Sequence, residues 1–191
     1  MDSEAVLDLF RRSGALLEGH FRLSSGLHSD RYFQSALVLQ YPEFAGALGE
    51  ALGERVAHLQ ATAILSPALG GIVIGQEVGR ALGVRAMFAE RVDGKLTLRR
   101  GFTLSPADRV VVVEDVVTTG GSTRETIDVA NAAGATVSGA AALVDRGGDS
   151  AHVPVPLFSL VQMLVPTHEP ESCPLCAKGI PVIKPGSRAA R

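Results

Sequence analysis

Cysteine is scarce, net charge is almost absent, and long apolar runs do not occur in these 191 residues. Each shortage removes a class of protein. The two cysteines sit together in CPLC, at Cys173 and Cys176, so no disulfide framework is available and a reducing cytoplasm is the expected compartment. A formal net charge of −2 gives no field for gathering nucleic acid or acidic membranes, so any bound anion must be held by local groups. No apolar stretch approaches the roughly 20 residues needed to span a bilayer. The opening MDSEAVLDLF carries acids and no basic segment, unlike a secretory signal.

What is present is a globular composition, 46% hydrophobic and 20% charged, in a chain that suits a single domain. Residues 2–12 read as a short amphipathic helix. Residues 14–40 mix aromatics with Gly, Ser and His and read as short strands and loops added to a core that has not begun. From Pro42, apolar residues at Phe44, Leu48, Leu52 and Val56 recur every fourth position, and Pro suits the first turn of that helix. An α/β rhythm follows, with strands expected at 62–67, 84–90, 109–115, 136–146 and 158–164. Helices are expected at 71–83 and from Ser122 to about Gly134, the latter opened by Ser122 and Glu125 at capping-box spacing. The fold class is therefore a mostly parallel sheet flanked by helices. A hood (1–40), core (41–165) and Pro/Gly-rich, poorly packed tail (166–191) make up the one domain.

The stretch VVVVEDVVTTGGST, residues 110–123, concentrates the chemistry. A continuous β-branched run is expected of a parallel strand buried on both faces. It ends in a Gly-rich turn feeding a helix N-terminus, where free amides and the helix dipole favour an anion. No Gly-Lys-Ser/Thr follows, so it is not a Walker loop, and it is not a G-x-G-x-x-G dinucleotide turn. Glu114 and Asp115 precede the turn, where they would face the sugar of a ribose 5-phosphate and accept hydrogen bonds from its vicinal hydroxyls. A random acid pair at a strand end more often only solvates it.

That whole string resembles the phosphoribosyl pyrophosphate (PRPP) signature of the type I phosphoribosyltransferases. The resemblance implies a parallel sheet under a hood, Mg²⁺-PRPP as donor, and displacement of pyrophosphate at the anomeric carbon. Residues 14–36, with F-x-L-x-S-G-x-x-S from Phe21 to Ser29, look like the hood of the orotate phosphoribosyltransferases. SPALGGI (66–72) is similar to that family's pyrophosphate loop. ERVDGKLTLRRG (90–101) and VDRGG (144–148) fall where its mobile loop and orotate-binding strand end belong. By this resemblance the chain is identified as a member of that family, which makes orotidine 5′-monophosphate in pyrimidine biosynthesis.

Carried over position by position, the resemblance assigns PRPP binding to Glu114, Asp115, Val116, Val117, Thr118, Thr119, Gly120, Gly121 and Ser122. Leu69, Gly70 and Gly71 join them from the pyrophosphate loop, with Arg91 and Lys95 from the mobile loop. Lys95, Arg91 and Asp115 are the implied catalytic residues, and Thr118, Arg146, Tyr32 and Phe33 the implied orotate contacts. The resemblance also implies a homodimer whose mobile loop covers the partner's site. Mg²⁺ would be carried by PRPP, with no metal held by the protein alone.

Family lysines are replaced by Ser24, Gly70 and Val92, and the loop histidine by Thr97. Arg99 and Arg100, or the backbone amides of 69–71, are the candidate replacements for the lost charge. Blander readings stand beside these. Asp93-Gly94 suits a hairpin turn that would make Lys95, Arg99 and Arg100 a solvated ribbon, Arg146 suits a surface strand end, and His20 and His28 suit hood structure. CPLC with His168 five residues upstream supplies at most three zinc ligands from one chain, so two reduced thiols in a mobile tail are expected. Two other functions compete: a purine phosphoribosyltransferase, and a non-catalytic PRPP-sensing regulator that binds nucleic acid. The orotate-type hood disfavours the first, and the missing basic face disfavours the second.

Overall fold

The structure, a computed structural model, describes residues 1–23, 26–148, 151–163 and 165–185. Ser24, one of the missing-lysine positions, lies outside the described residues, as does Ser25 of the hood motif.

Two sheets form. The core sheet has six strands in the order β5-β4-β3-β6-β7-β8, where β3 is Ala63–Pro67, β4 Arg85–Val92, β5 Lys95–Leu98, β6 Arg109–Val117, β7 Thr136–Asp145 and β8 Leu157–Gln162. All neighbours pair in parallel except the β4–β5 hairpin. The hood is an antiparallel sheet of β1 (Leu16–Arg22), β2 (His28–Phe33) and β9 (Thr167–His168).

Strand parity builds the core. Val111 and Val113 of β6 join one cluster with Ile74 and Val78 of α4 (Gly70–Leu82), with α3 (Pro42–Val56), and with α1 (Ser3–Arg12). Val110 and Val112 point the other way, onto Ile127 and Ala130 of α5 (Gly121–Ala132). All four valines are fully buried, worth roughly 1.5–3 kcal/mol each as removal from water. Such double-sided burial is why the run reads as unbroken valine.

The strand order also places a site. From β3 the chain runs to β4 on one side, then returns to β6 on the other. The helices leaving β3 and β6 pack on opposite faces, so a crevice opens between their N-termini, the usual ligand position in a parallel sheet.

Elements long enough to show a period lie where expected: α3 begins with Pro42 in its first turn, α4 ends at Gly83 in the left-handed region, and α5 ends before Gly134. The structure adds a short helix α2 (Ser35–Leu39) where only strands and loops are expected. It also corrects the tail. That segment is mostly exposed, yet it contributes β9 and a short helix α6 (Pro174–Ala177), and Ile183 exchanges backbone hydrogen bonds of 2.8 Å with His20 and Arg22. No described helix is long and apolar enough to cross a membrane.

Candidate active site

Two helix N-termini line the crevice. At the end of β3 the chain passes through Ala68–Leu69, a cis peptide, into α4 at Gly70. Leu69 is 83% exposed, and a Cβ at Gly71 would stand 2.9 Å from the Val113 carbonyl, so glycine lets α4 start directly against β6. At the end of β6, Thr118 and Thr119 are exposed, and Gly120 takes φ +73 to start α5. Arg124 braces this turn by donating to the carbonyls of Thr119 (2.8 Å) and His152 (2.7 Å). The free amides of both helices thus face one crevice, suiting two anionic groups side by side.

Parity separates the two acids. Glu114 has the even register of Val110 and Val112 and turns toward α5, where its Oε2 accepts from Ser122 Oγ (2.8 Å) and Thr123 Oγ1 (3.0 Å). Burial pushes its carboxyl up to about 7, helped by the charge of Asp115 and opposed by the two hydroxyls. Asp115 has the odd register and turns toward α4: a Cβ at Gly70 would meet its Oδ1 at 2.7 Å. Burial raises this carboxyl as well, against the Val116 amide that donates to it. The glycine standing where the family has a lysine is therefore filled by the Asp115 carboxylate.

The capping box does not form. Ser122 is spent on Glu114, and Glu125 reaches across to Arg91, whose guanidinium donates to both its oxygens at 2.8 and 3.0 Å. The helix N-cap is Gly120, with no side-chain cap. The two polar residues that signal a helix start serve the crevice and the hairpin instead.

On the acceptor side, Arg146 follows β7, and its amide donates to the Val117 carbonyl at 2.8 Å. Asp145, buried, shapes this end by accepting from the amides of Gly147 (2.9 Å) and Gly148 (3.0 Å), while Gln162 donates to its other oxygen at 3.3 Å. Burial lowers the guanidinium of Arg146 from its usual range, and Tyr32 and Asp30 of the hood oppose that shift. Its Nε is buried without a partner. Tyr32 feels both Asp115 and Arg146; burial is the first cause that raises its phenol, then Asp115, with Arg146 acting against them. The hood tyrosine is thus within electrostatic reach of the ends of both β6 and β7. Phe33, next along β2, turns inward by alternation and packs edge-on to Phe10 with ring centroids 5.6 Å apart.

Residues 90–101 form the β4–β5 hairpin, with Asp93 and Gly94 both at positive φ in the turn, as Asp-Gly favours. Arg91 and Lys95 are exposed on it. Arg99 and Arg100 lie 3.8 and 2.9 Å from Glu90, whose carboxyl is lowered chiefly by the Arg100 hydrogen bond, so they make the solvated ribbon. Arg91 lies over α5 through Glu125. Residue spacing alone does not reveal Glu125 as the partner of Arg91, nor Asp145 as the group that shapes the turn after Arg146. The Asp-x-Gly-Gly string at 145–148 was the available signal for the second, since Asp side chains bind amides two residues on.

No family model matches the sequence. The chain is 54% identical over 190 residues to the orotate phosphoribosyltransferase of Heliobacterium modesticaldum, covering 98% of this chain and 100% of that one. It is 49% identical over 189 residues to that of Chlorobium phaeobacteroides, covering 99% and 98%. Among solved structures, the orotate phosphoribosyltransferase of Aeropyrum pernix superposes with a TM-score of 0.70 at 27% identity, over 83% of this chain and 93% of that one.

Proposed function

The chain belongs to the orotate phosphoribosyltransferase family, and from PRPP and orotate it makes orotidine 5′-monophosphate and pyrophosphate; we propose how its own residues divide that work. The amides and hydroxyls of 118–122 hold the 5-phosphate, the start of α4 at Leu69, Gly70 and Gly71 holds the pyrophosphate, and Asp115 between them takes the ribose diol. Glu114, on the far face, sets the hydroxyls of Ser122 and Thr123. Arg146 and Tyr32 hold orotate, the guanidinium fork suiting an acidic ring with several acceptors.

Asp115 would be the carboxylate beside Mg²⁺ carried by PRPP, which when bound would supply charge neutralisation of the pyrophosphate. The residues fit that arrangement: Mg²⁺ takes one or two carboxylates plus substrate oxygens, and only Asp115 turns toward the pyrophosphate side. The protein's part is electrostatic and positional. It holds the orotate nitrogen near the anomeric carbon, sets helix amides against the departing pyrophosphate, and covers both from water.

Arg91 and Lys95 add positive charge to the leaving group, with Lys95 serving a second subunit. In the strand order β5-β4-β3-β6, Lys95 is three strand spacings from the Asp115 strand, about 14 Å, more than a lysine side chain spans. A groove lined by exposed Val73, half-buried Phe88 and Phe102 and buried Met87 lies beside the hairpin and suits a homodimer contact.

The carrying observation is that Tyr32 of the hood lies within electrostatic reach of both Asp115 at the end of β6 and the half-buried Arg146 after β7, so the proposed donor and acceptor residues share one region. With Mg²⁺ and PRPP, the protein should consume orotate with release of pyrophosphate, followed by orotate absorbance. Arg146→Ala should raise the orotate KM at least tenfold while leaving PRPP binding within about threefold, since about 1.4 kcal/mol corresponds to tenfold. Turnover of adenine or hypoxanthine in place of orotate would sink the assignment; equal losses for both ligands would sink the role of Arg146.

A further inference from the structure

Away from the crevice, His20 and His28 of the hood meet Cys173 and Cys176 of the tail, and their ligating atoms all lie within 4.8 Å of one another. From these residues we infer a structural zinc site of the Cys₂His₂ type that fastens the C-terminal segment to the hood. This inference is independent of the assigned reaction.

The distances suit one shared ion. His20 Nε2 lies 2.9 Å from His28 Nδ1, 3.5 Å from Cys173 Sγ and 3.7 Å from Cys176 Sγ, and Cys176 Sγ lies 3.3 Å from His28 Nδ1. Tetrahedral zinc, with Zn–N near 2.0–2.1 Å and Zn–S near 2.3 Å, sets its ligand atoms about 3.3–3.8 Å apart; the three nitrogen–sulfur distances fall in that range, and the two imidazoles, at 2.9 Å, would part by about 0.4 Å around an ion.

Tautomer chemistry gives a second argument. His20 Nδ1 lies 2.7 Å from the Ile180 carbonyl, which can only accept, so the proton is on Nδ1 and the Nε2 lone pair points into the cluster. A carbonyl holding the far nitrogen is the usual support of a metal-binding histidine. His20, His28 and Cys173 are 2%, 5% and 2% exposed, so the two imidazoles and the thiols form a largely water-excluded donor set that one cation can share. Cys173 and Cys176 have the Cys-x₂-Cys spacing of structural zinc sites, and soft thiolates with imidazoles select zinc over Mg²⁺.

CPLC therefore supplies two ligands and the hood the other two, about 150 residues earlier in the chain, and His168 is not a ligand. His168 pairs with His28 in the β2–β9 register but stands outside the cluster, which makes it the control. What the site accomplishes is mechanical: it closes the hood sheet that carries Tyr32.

The test is metal analysis of the full chain, purified without a histidine tag or chelator. One zinc per chain is expected, and Co²⁺ exchanged into the site should show tetrahedral d–d bands with thiolate charge transfer. Cys176→Ser and His20→Gln should lose the metal and the charge-transfer band, while His168→Ala keeps both. Because His20 is buried and its variant is prone to misfolding, the exposed Cys176 provides the decisive variant. Dialysis against a strong chelator should lower the melting temperature by several degrees, and Zn²⁺ should restore it. Absence of metal uptake, weak uptake unchanged in Cys176→Ser, or a Cys173–Cys176 disulfide in the purified protein would each overturn the site.

Discussion

The two adjacent acids illustrate how one residue of offset decides a role. Along β6, Glu114 inherits the face of Val112 and Asp115 that of Val113, so one carboxylate sits under the α5 hydroxyls and the other beside Gly70. Glu114 is held at about 7 by burial, against an ordinary value of 4.5. Between those pH values the folded chain keeps a proton that the unfolded chain has lost. Stability therefore falls as pH rises through about 4.5 to 7, and the loss is complete above about 7. Glu114→Gln, which needs no proton, should match the parent in the ligand-free protein near pH 4.5. It should exceed the parent at about pH 8.5 by on the order of 2–3 kcal/mol. Urea unfolding at both pH values checks this; a gap that stays constant, or that widens toward acid, would contradict the buried-acid account. The parity that splits the acids is legible in 110–115, since alternation is a property of any strand.

At the scale of elements, the hairpin and α5 are joined by one exposed ion pair, and its value is positional rather than energetic. Arg91 and Glu125 have side chains 48% and 43% exposed, so breaking the pair should change stability by less than about 1 kcal/mol. If Arg91 leaves Glu125 to meet pyrophosphate, Glu125→Gln should keep or raise kcat, Arg91→Ala should lower it at least tenfold, and the double variant should behave as Arg91→Ala alone. Steady-state kinetics of the three variants decides; a Glu125→Gln loss as large as that of Arg91→Ala would show that the pair itself is the working unit. The same elements show what periodicity reveals and what it hides. α3 and α4 bury residues in a repeating pattern and β6 and β7 bury unbroken apolar runs, so their positions follow from the sequence alone. α2, β9 and α6 have five, two and four residues, too few to show a period, and they form because distant segments hold them. The Ser122–Glu125 spacing misled for the opposite reason: both side chains had stronger partners outside their own helix.

Over the whole molecule, the residues proposed for PRPP lie on the core sheet, and those proposed for orotate are shared with a hood that the C-terminal segment completes. The signature at 110–123 marked the first half because phosphate binding is local to one strand, one turn and one helix. The hood's closure was not legible, since β9 and His20 come from opposite ends of the chain and only folding brings them together. A comparable non-local demand falls on Lys95. The hairpin is an edge element of the sheet, three strands from Asp115, so its lysine has no short path to the crevice of its own subunit. In a homodimer packed through the groove beside the hairpin, that lysine serves the neighbouring crevice. Lys95→Ala and Asp115→Ala chains, each inactive alone, should then regain activity when mixed and allowed to exchange subunits. Random pairing puts half the chains in heterodimers, each holding one intact site out of two, so about a quarter of parental activity is expected. Sedimentation would verify the dimer and mass spectrometry the exchange. Complete exchange without recovery would place Lys95 in its own subunit's site, reached only by a large movement of the hairpin.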